Sequence, residues 1–322
     1  MKEKKQVNLF VRQGSIHMNK KKTDIAFITI NYNSSEYTLR LLSSIKNFSK
    51  TNYEVIVVDN KSEIEDVKKL EEYISKEQKV QLFKNTVNEG FASGNMLGVT
   101  HTDAKYYFFI NNDTELLNDA SLIMMNYLNK HEKVALATAK VKNEEGSFSS
   151  SYKLFPSLTK ELLGNSVARK FTKHNFPSNK VKLSQPTLVE VVSGSCMFFR
   201  AEDFNSIGGF DKEFFLYCEE EDISKRVWNS SKEVMFLPDA EIIHFSGGST
   251  HKSFEIEREY YISYHLLLEK HFGWVSRKIL KSLLLVKLFR RSFKREHGKK
   301  LLACALSSCP KKLSLRSLQK GK

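Results

Sequence analysis

Tyr106-Tyr107-Phe108-Phe109-Ile110-Asn111-Asn112-Asp113-Thr114-Glu115-Leu116 is the stretch on which the reading of this chain turns. An aromatic and β-branched run stops abruptly on two amides and a carboxylate. Unbroken apolar residues from Tyr106 to Ile110 predict a strand buried on both faces, as in the middle of a parallel sheet. Open α/β sheets bind ligands at the carboxyl ends of such strands, which makes Asp113 the first candidate functional side chain. The same Asn-Asn-Asp would serve equally as a plain turn and helix cap, so the neighbouring segments have to separate the two readings.

Upstream, Ile25 to Ile30 predicts another buried strand, ended by Asn31-Tyr32-Asn33. Ser34 and Ser35 are placed to cap a helix in which Leu39, Leu42, Ile45 and Phe48 recur at helical spacing. Glu54 to Val58 reads as a second strand ending on Asp59-Asn60, followed by a helix over about residues 63–76 and a strand near 80–83. This alternation predicts an α/β fold with a mostly parallel sheet covered by helices. Asn88-Glu89-Gly90-Phe91-Ala92-Ser93-Gly94-Asn95 then places small residues beside amides just after a strand. Such a loop lets backbone donors approach a phosphate or sugar closely, although alone it reads more readily as a turn and a close packing site. It has neither the Gly-Lys-Ser/Thr of a Walker loop nor a GxGxxG spacing.

Downstream, a helix is expected over 119–130 and a strand over 134–141. Residues 142–187 lose periodicity and gain Ser, Asn, Lys, Pro156, Pro177 and Pro186, the pattern of a long excursion that shapes an acceptor-binding loop or lid. After Phe214-Phe215-Leu216-Tyr217-Cys218 come four acids in a row, Glu219, Glu220, Glu221 and Asp222. As an isolated run they suit the solvated first turn of a helix, whose dipole favours carboxylates. Beside aromatic rings, some of them would instead be partly desolvated and suited to general-base work. On a helix Glu219 and Asp222 share a face and Glu220 points away from it. Finally, Glu241-Ile242-Ile243-His244 reads as a short strand running into a glycine turn. His244 alone is more often structural, but near Asp113 it would complete a set suited to a divalent ion.

Composition bounds the function. With 322 residues, 41% hydrophobic and 27% charged, the chain is an ordinary globular protein with a sizeable core. It has no run of 18 uncharged apolar residues and no secretory signal, and its four scattered cysteines include no CxxC pair, so a cytoplasmic protein with reduced thiols is expected. Residues 1–22 are polar and lysine-rich, and Gly14-Ser15-Ile16-His17-Met18 resembles a tag remnant; they are left out of the fold. The net charge of +14 sits entirely in residues 274–322, where 15 Lys and Arg face Glu296 alone; the rest balances 36 against 36. A neutral body with an acidic cluster argues against nucleic acid as a partner. Ile279, Leu283, Val286, Leu288 and Phe289 among these cations predict a basic amphipathic helix lying on an anionic membrane surface, or else one that closes the domain.

Taken in order, Asn31-Tyr32-Asn33, Val57-Val58-Asp59-Asn60, Asn88-Glu89-Gly90-Phe91 to Asn95, Asn111-Asn112-Asp113, Gly208-Gly209-Phe210-Asp211, Phe215-Leu216-Tyr217 with the acids, and His244 to Ser249 resemble glycosyltransferase family 2. Within it the likeness is to the bacterial rhamnosyltransferase-like branch that builds cell-surface polysaccharide. It covers about residues 24–272. The resemblance implies a GT-A fold over residues 23–272, a Rossmann-like sheet flanked by helices. It implies inverting transfer from a dTDP- or UDP-linked sugar, with L-rhamnose favoured by the branch alone, to a saccharide or lipid-linked saccharide. Residues 273–322, outside the resemblance, are expected to be a helical basic C-terminal extension whose amphipathic pattern makes the enzyme peripheral to the inner face of the cell membrane.

The family's roles carry over by position. Asp59 stands where the nucleotide base or ribose is bound, with Asn31, Tyr32, Asn33 and Asn60 beside it. Asn88, Gly90, Phe91 and Asn95 fall in the donor loop. Asn111-Asn112-Asp113 occupies the place of the DxD metal motif and keeps only its last carboxylate, so Asp113 and His244 are the residues expected to hold Mn²⁺ or Mg²⁺. Where the family has Glu-Asp-x-Asp, this chain has Glu219-Glu220-Glu221-Asp222. Glu220 therefore replaces the usual aspartate base, Glu219 is second choice, and Asp222 is expected to be structural or acceptor-binding. Two other readings fit the same residues: a non-catalytic carbohydrate- or nucleotide-binding subunit of this fold, given the reduced metal motif, and a nucleic-acid-binding protein acting through its tail.

Overall fold

The computed structural model describes residues 23–172, 174–178, 181, 183–245, 253–293 and 297–320. β1 (Ile25–Asn31), α1 (Ser35–Phe48), β2 (Tyr53–Asp59), α2 (Ile64–Ile74), β3 (Val80–Lys84) and α3 (Gly90–Val99) alternate as the periodicity predicts. The central stretch forms β4 (Tyr106–Ile110) and a short β5 (Thr114–Leu116), followed by α4 (Ala120–Lys130) and β6 (Val134–Lys142). The excursion holds β7 (Tyr152–Lys153), α5 (Leu158–Leu163), α6 (Asn165–Lys170), β8 (Thr187–Leu188) and β9 (Val191–Val192). β10 (Cys196–Arg200), α7 (Ala201–Ser206), α8 (Glu219–Asn229) and β11 (Glu233–His244) complete the sheet region. Then come α9 (Phe254–His271), α10 (Trp274–Ser292), α11 (Gly298–Leu306) and α12 (Leu315–Lys320). The expected leader over 1–22 and the glycine turn after Phe245 lie outside the described residues.

The main sheet runs β3-β2-β1-β4-β10-β6-β11-β5, with β8 on the side of β11. β1 pairs in parallel with β2 and β4, whereas β10 is antiparallel to both β4 and β6. β4 is thus central, and all five of its residues are buried. Alternation sends its side chains to opposite layers. Phe108 packs with Phe27 and Phe198 toward α1 and α4, and Phe109 packs with Phe199 and Phe204 on the other face. Each such fully buried ring contributes about 1.5–3 kcal/mol, so this strand fixes the sheet from which the crevice is built.

Three local features differ from the sequence reading. Neither serine side chain caps α1; Asp66 of α2 does, its Oδ1 accepting from Ser35 N at 2.9 Å. His244 ends not a short strand but the twelve-residue β11, whose register breaks between Leu237 and Glu241. Pro238 has no amide hydrogen to give the ladder, and Asn118 fills the gap, donating to Asp239 O at 2.7 Å and accepting from Glu241 N at 3.1 Å. The tail is also more than one surface helix. α9 offers Tyr264, Leu267 and Leu268 to the main core and Tyr261 and Ile262 to a second core with Leu288, Leu301 and Cys304. Leu288, expected at a lipid surface, is buried there.

Candidate active site

The carboxyl ends of β1, β2 and β4, where an open α/β sheet has its binding crevice, carry a polar network. Asn31 Nδ2 is within reach of Asp59 Oδ1 (2.9 Å), Ser62 Oγ (3.0 Å) and Asp66 Oδ2 (2.8 Å), while its Oδ1 accepts from Thr38 Oγ1 at 2.9 Å. Asp59 also accepts from Ser62 N at 3.0 Å and from Ser62 Oγ at 2.5 Å. Burial pushes the Asp66 carboxyl up, but hydrogen bonds from Ser35 and Asn31 outweigh it and hold its pKa below the ordinary value. Asn31, Asp59, Asn60, Asn95 and Asn112 are all buried, so most of the amides read as donor contacts build the crevice wall. At the rim, Tyr32 is 42% exposed, and Asn33 takes a left-handed turn at φ 51. Asn112 Nδ2 is spent on Ser34 Oγ (2.7 Å) and Thr38 Oγ1 (3.0 Å), which ties the exit of β4 to the start of α1.

The loop before α3 is held from three sides. Asn88 Oδ1 accepts from Gly90 N at 2.9 Å, Asn60 Nδ2 donates to Gly90 O at 3.0 Å, and Phe91 N donates to Phe215 O at 2.7 Å. Asn95 Nδ2 donates to Phe91 O at 3.0 Å. Gly90 sits at φ +79, and a Cβ there would stand 2.1 Å from Phe215 O. The left-handed backbone costs an L-residue about 1–2 kcal/mol before that clash is counted, so Gly90→Ala is expected to lose about 2 kcal/mol or more of stability. An unchanged melting temperature would refute this account of the loop. From the far end of the chain, Arg316 Nη2 donates to Glu89 O and Ser93 Oγ, both at 3.1 Å. Glu259 of α9 caps α12 by accepting from Leu315 N at 2.9 Å, which steadies the helix that carries Arg316.

Asp113 follows β4 and is 2% exposed. Its carbonyl accepts from Phe245 N at 2.9 Å, and its Oδ1 lies 3.1 Å from His244 Nε2. Pairing of His244 with Thr114 between β11 and β5 is what brings these two side chains together. A carboxylate oxygen beside an imidazole nitrogen is a donor set suited to a divalent ion. Among the described residues no group of three His, Cys, Asp or Glu side chains is arranged to hold a metal ion. The remaining positions would therefore fall to phosphate oxygens of a ligand and to water, the usual arrangement for Mg²⁺ in phosphate sites.

Opposite stands the acidic run, introduced by two left-handed residues, Tyr217 (φ 72) and Cys218 (φ 69), that turn the chain sharply into α8. Glu220 points at Gly194, where a Cβ would sit 3.7 Å from its carboxyl carbon. The next residue, Ser195, accepts from Asn111 N through its carbonyl at 3.1 Å, so Glu220 and the exit of β4 border the same short segment. Lys153 of β7 reaches both Glu220 Oε1 (2.9 Å) and Glu221 Oε1 (2.5 Å). Burial pushes the Glu220 carboxyl up, but the Lys153 ammonium more than cancels this and holds its pKa below the ordinary value. Burial and the neighbouring Glu220 charge raise Glu219 well above it and Glu221 to about 6. Asp222 is an anchor: despite burial its carboxyl is lowered to about 2 by His271, Arg226 and Lys270, with His271 Nε2 and Lys270 Nζ each 2.8 Å from Oδ1.

These charges give a test. Removing the cation takes away the main opposition to burial at Glu220, so its pKa is expected to rise. Lys153→Met is therefore expected to move the acid limb of a pH–rate profile to higher pH, with the loss of rate greatest below neutrality. An acid limb that stays in place would separate Lys153 from the titration of Glu220.

With this geometry in place, comparison with known proteins is direct: the chain matches the Glycosyl transferase family 2 pattern over residues 26–208, more than half of its 322 residues. It belongs to glycosyl transferase family 2. Rhamnosyltransferase WbbL of Escherichia coli K12 is 24% identical over 231 residues, covering 69% of this chain and 83% of that one. The N-acetylglucosaminyl-diphospho-decaprenol L-rhamnosyltransferase of Mycobacterium tuberculosis is 31% identical over 85 residues, which span 26% of this chain and only 28% of that relative. Among solved structures, GalNAc-T7 with UDP, GalNAc and Mn²⁺ superposes with a TM-score of 0.59 at 16% identity, covering 78% of this chain and 48% of that one. S. aureus TarS 1–349 in complex with UDP-GlcNAc does so with a TM-score of 0.55 at 18% identity, covering 90% and 83%. The family 2 glycosyltransferase thus has the GT-A fold of its structural neighbours.

Several residues of the candidate site carry no local sequence signal. Ser62 and Asp66 sit in an ordinary helix start, and Lys153 is one lysine among many in an aperiodic excursion. The tail's contact through Arg316 with Ser93 joins residues 223 apart in sequence.

Proposed function

We propose that this family 2 enzyme catalyses an inverting transfer of a sugar from a nucleoside diphosphate to an acceptor hydroxyl. The observation that carries the reading is the Glu220 carboxylate, kept ionised by Lys153 and bordering, through Gly194 and Ser195, the strand end that bears Asp113. In a single displacement Glu220 takes the proton of the acceptor hydroxyl as its oxygen attacks the anomeric carbon. The bond from that carbon to the diphosphate breaks on the opposite side, and the nucleoside diphosphate leaves with the electron pair. Asp113 and His244 would hold a divalent ion, Mn²⁺ or Mg²⁺, which supplies charge stabilisation for the leaving diphosphate. Asn88 and the backbone donors at Gly90 and Phe91 shape the loop that meets the donor, and Tyr32 offers a ring at the rim.

For the sugar we propose L-rhamnose on dTDP, supported by likeness to two rhamnosyltransferases, with UDP-linked hexoses served by the same residues. For the acceptor we propose a lipid-linked saccharide of cell-envelope polysaccharide, used by an enzyme peripheral to the inner face of the membrane. Among the described residues no helix is long and apolar enough to cross a bilayer. A thermal-shift series with dTDP, UDP, GDP and CDP, each with and without Mn²⁺, tests the donor half, because a ligand that binds only the folded state raises the melting temperature. One diphosphate is expected to raise it in a metal-dependent way, and no shift with any of the four would overturn the reading. Proton NMR of the first product then tests inversion, since retention of the donor's anomeric configuration would exclude a single displacement.

A further inference from the structure

α10 buries one face and leaves the other bare. Leu280, Leu288 and Ser292 are buried, and Leu284 packs against the main core and the tail core. On the outer side Val275 (60%), Ile279 (38%), Val286 (49%), Phe289 (56%) and Phe293 (72%) are exposed. At about 100° per residue these five fall within a stripe of roughly 80°, opposite the buried row. Lys278 and Arg290 border the stripe, and the helix has six Lys and Arg with no Asp or Glu. Trp274, 64% exposed, stands at its first turn.

A second apolar element adjoins it. α5 of the excursion exposes Leu162 (59%) and Leu163 (61%), and its Glu161 pairs with Lys287 of α10. The excursion also carries Lys153, which bonds to Glu220.

We propose that α10 and α5 together form a docking face for an anionic lipid surface, with α10 lying flat in the headgroup region. An apolar stripe bordered only by cations matches a bilayer of anionic lipid. A second copy of the chain fits less well, because pairing this face with itself would set cations against cations. Docking through α5 would bring the excursion, and so the acceptor side of the crevice, to the membrane plane. That last step rests on the proposed lipid-linked acceptor; the docking itself does not.

The test is flotation of the full chain with vesicles of phosphatidylglycerol and phosphatidylcholine, against phosphatidylcholine alone. The chain is expected to float with the anionic vesicles and not the neutral ones. Phe289→Ser with Phe293→Ser, both exposed and outside the crevice, are expected to weaken partitioning about tenfold or more, and Leu162→Ser with Leu163→Ser to weaken it measurably. Unchanged flotation of the tail variant would overturn the proposal, and unchanged flotation of the α5 variant would overturn the shared face. Failure of the wild type to float, with a dimer that the tail variant turns into monomer, would assign the face to self-association instead. The UDP and dTDP thermal shifts of the same samples report separately on the transferase reading, which stands or falls without vesicles.

Discussion

Glu220→Gln is expected to lower the transfer rate about a thousandfold while leaving metal-dependent nucleotide binding within about twofold of wild type. A positioned base is worth about 10²–10⁴ in rate, and the upper part of that range applies where one group removes the proton in the displacement. The substituted amide keeps the shape of the side chain and an oxygen for Lys153 but cannot accept a proton. Glu219 is the control that separates this from a general effect of the acidic run. Its carboxyl is buried and raised well above the ordinary value by burial and by the Glu220 charge, and its Oε1 is among the buried atoms without a hydrogen-bond partner. Glu220, and not Glu219, is the acid that lies against Gly194 beside the exit of β4, so Glu219→Gln is expected to cost less than about tenfold. Glu220→Asp keeps a carboxylate one methylene shorter and is expected to keep measurable rate. Initial rates of nucleotide release with a competent acceptor, beside nucleotide affinity, decide the matter: a Glu219→Gln variant crippled more than Glu220→Gln would reverse the two roles.

The fold was legible because its central strands are buried on both faces, so that runs such as Tyr106 to Ile110, short, aromatic and β-branched, stand out as strands. The ends of those strands were legible as a site because amides and carboxylates there interrupt apolar runs. What each polar residue does was not legible. Asn31, Asn60 and Asn112 read alike as donor contacts, yet their amide hydrogens go to Asp59, Gly90 O and Ser34. A hydrogen-bonding side chain has the same appearance in sequence whether its partner is a substrate or another element of the fold. Nor could spacing show that Lys153, 67 residues from Glu220, would sit between two of the acids. The excursion looked aperiodic because α5 and α6 have six residues each, too few for a helical period to register. The amphipathic tail was visible, but which of its apolar residues face inward was decided by a second core built with α9 and α11.

Asp113→Asn is expected to abolish the metal dependence of nucleotide binding and to reduce transfer by about 10²–10³. The substitution keeps volume and hydrogen bonding at a position only 2% exposed, so the fold should survive while the one carboxylate at the exit of β4 is lost. Electrostatic stabilisation of a leaving group by a single preorganised contact is worth about 10²–10³ in rate, which sets the scale. His244→Ala removes the other side chain of the pair, 3.1 Å away, but leaves the charge of Asp113 in place. It should therefore weaken metal affinity by less than Asp113→Asn does. Wild-type protein treated with EDTA provides the third arm. Its nucleotide thermal shift should match that of Asp113→Asn with Mn²⁺ present, because neither would hold an ion beside the diphosphate. If EDTA leaves both the shift and the rate of the wild type unchanged while Asp113→Asn still loses activity, the carboxylate acts on the donor without an ion. The motif Asn111-Asn112-Asp113 would then mark a site that stabilises its leaving group with protein donors, of which His244, held 3.1 Å from Asp113, is the first candidate.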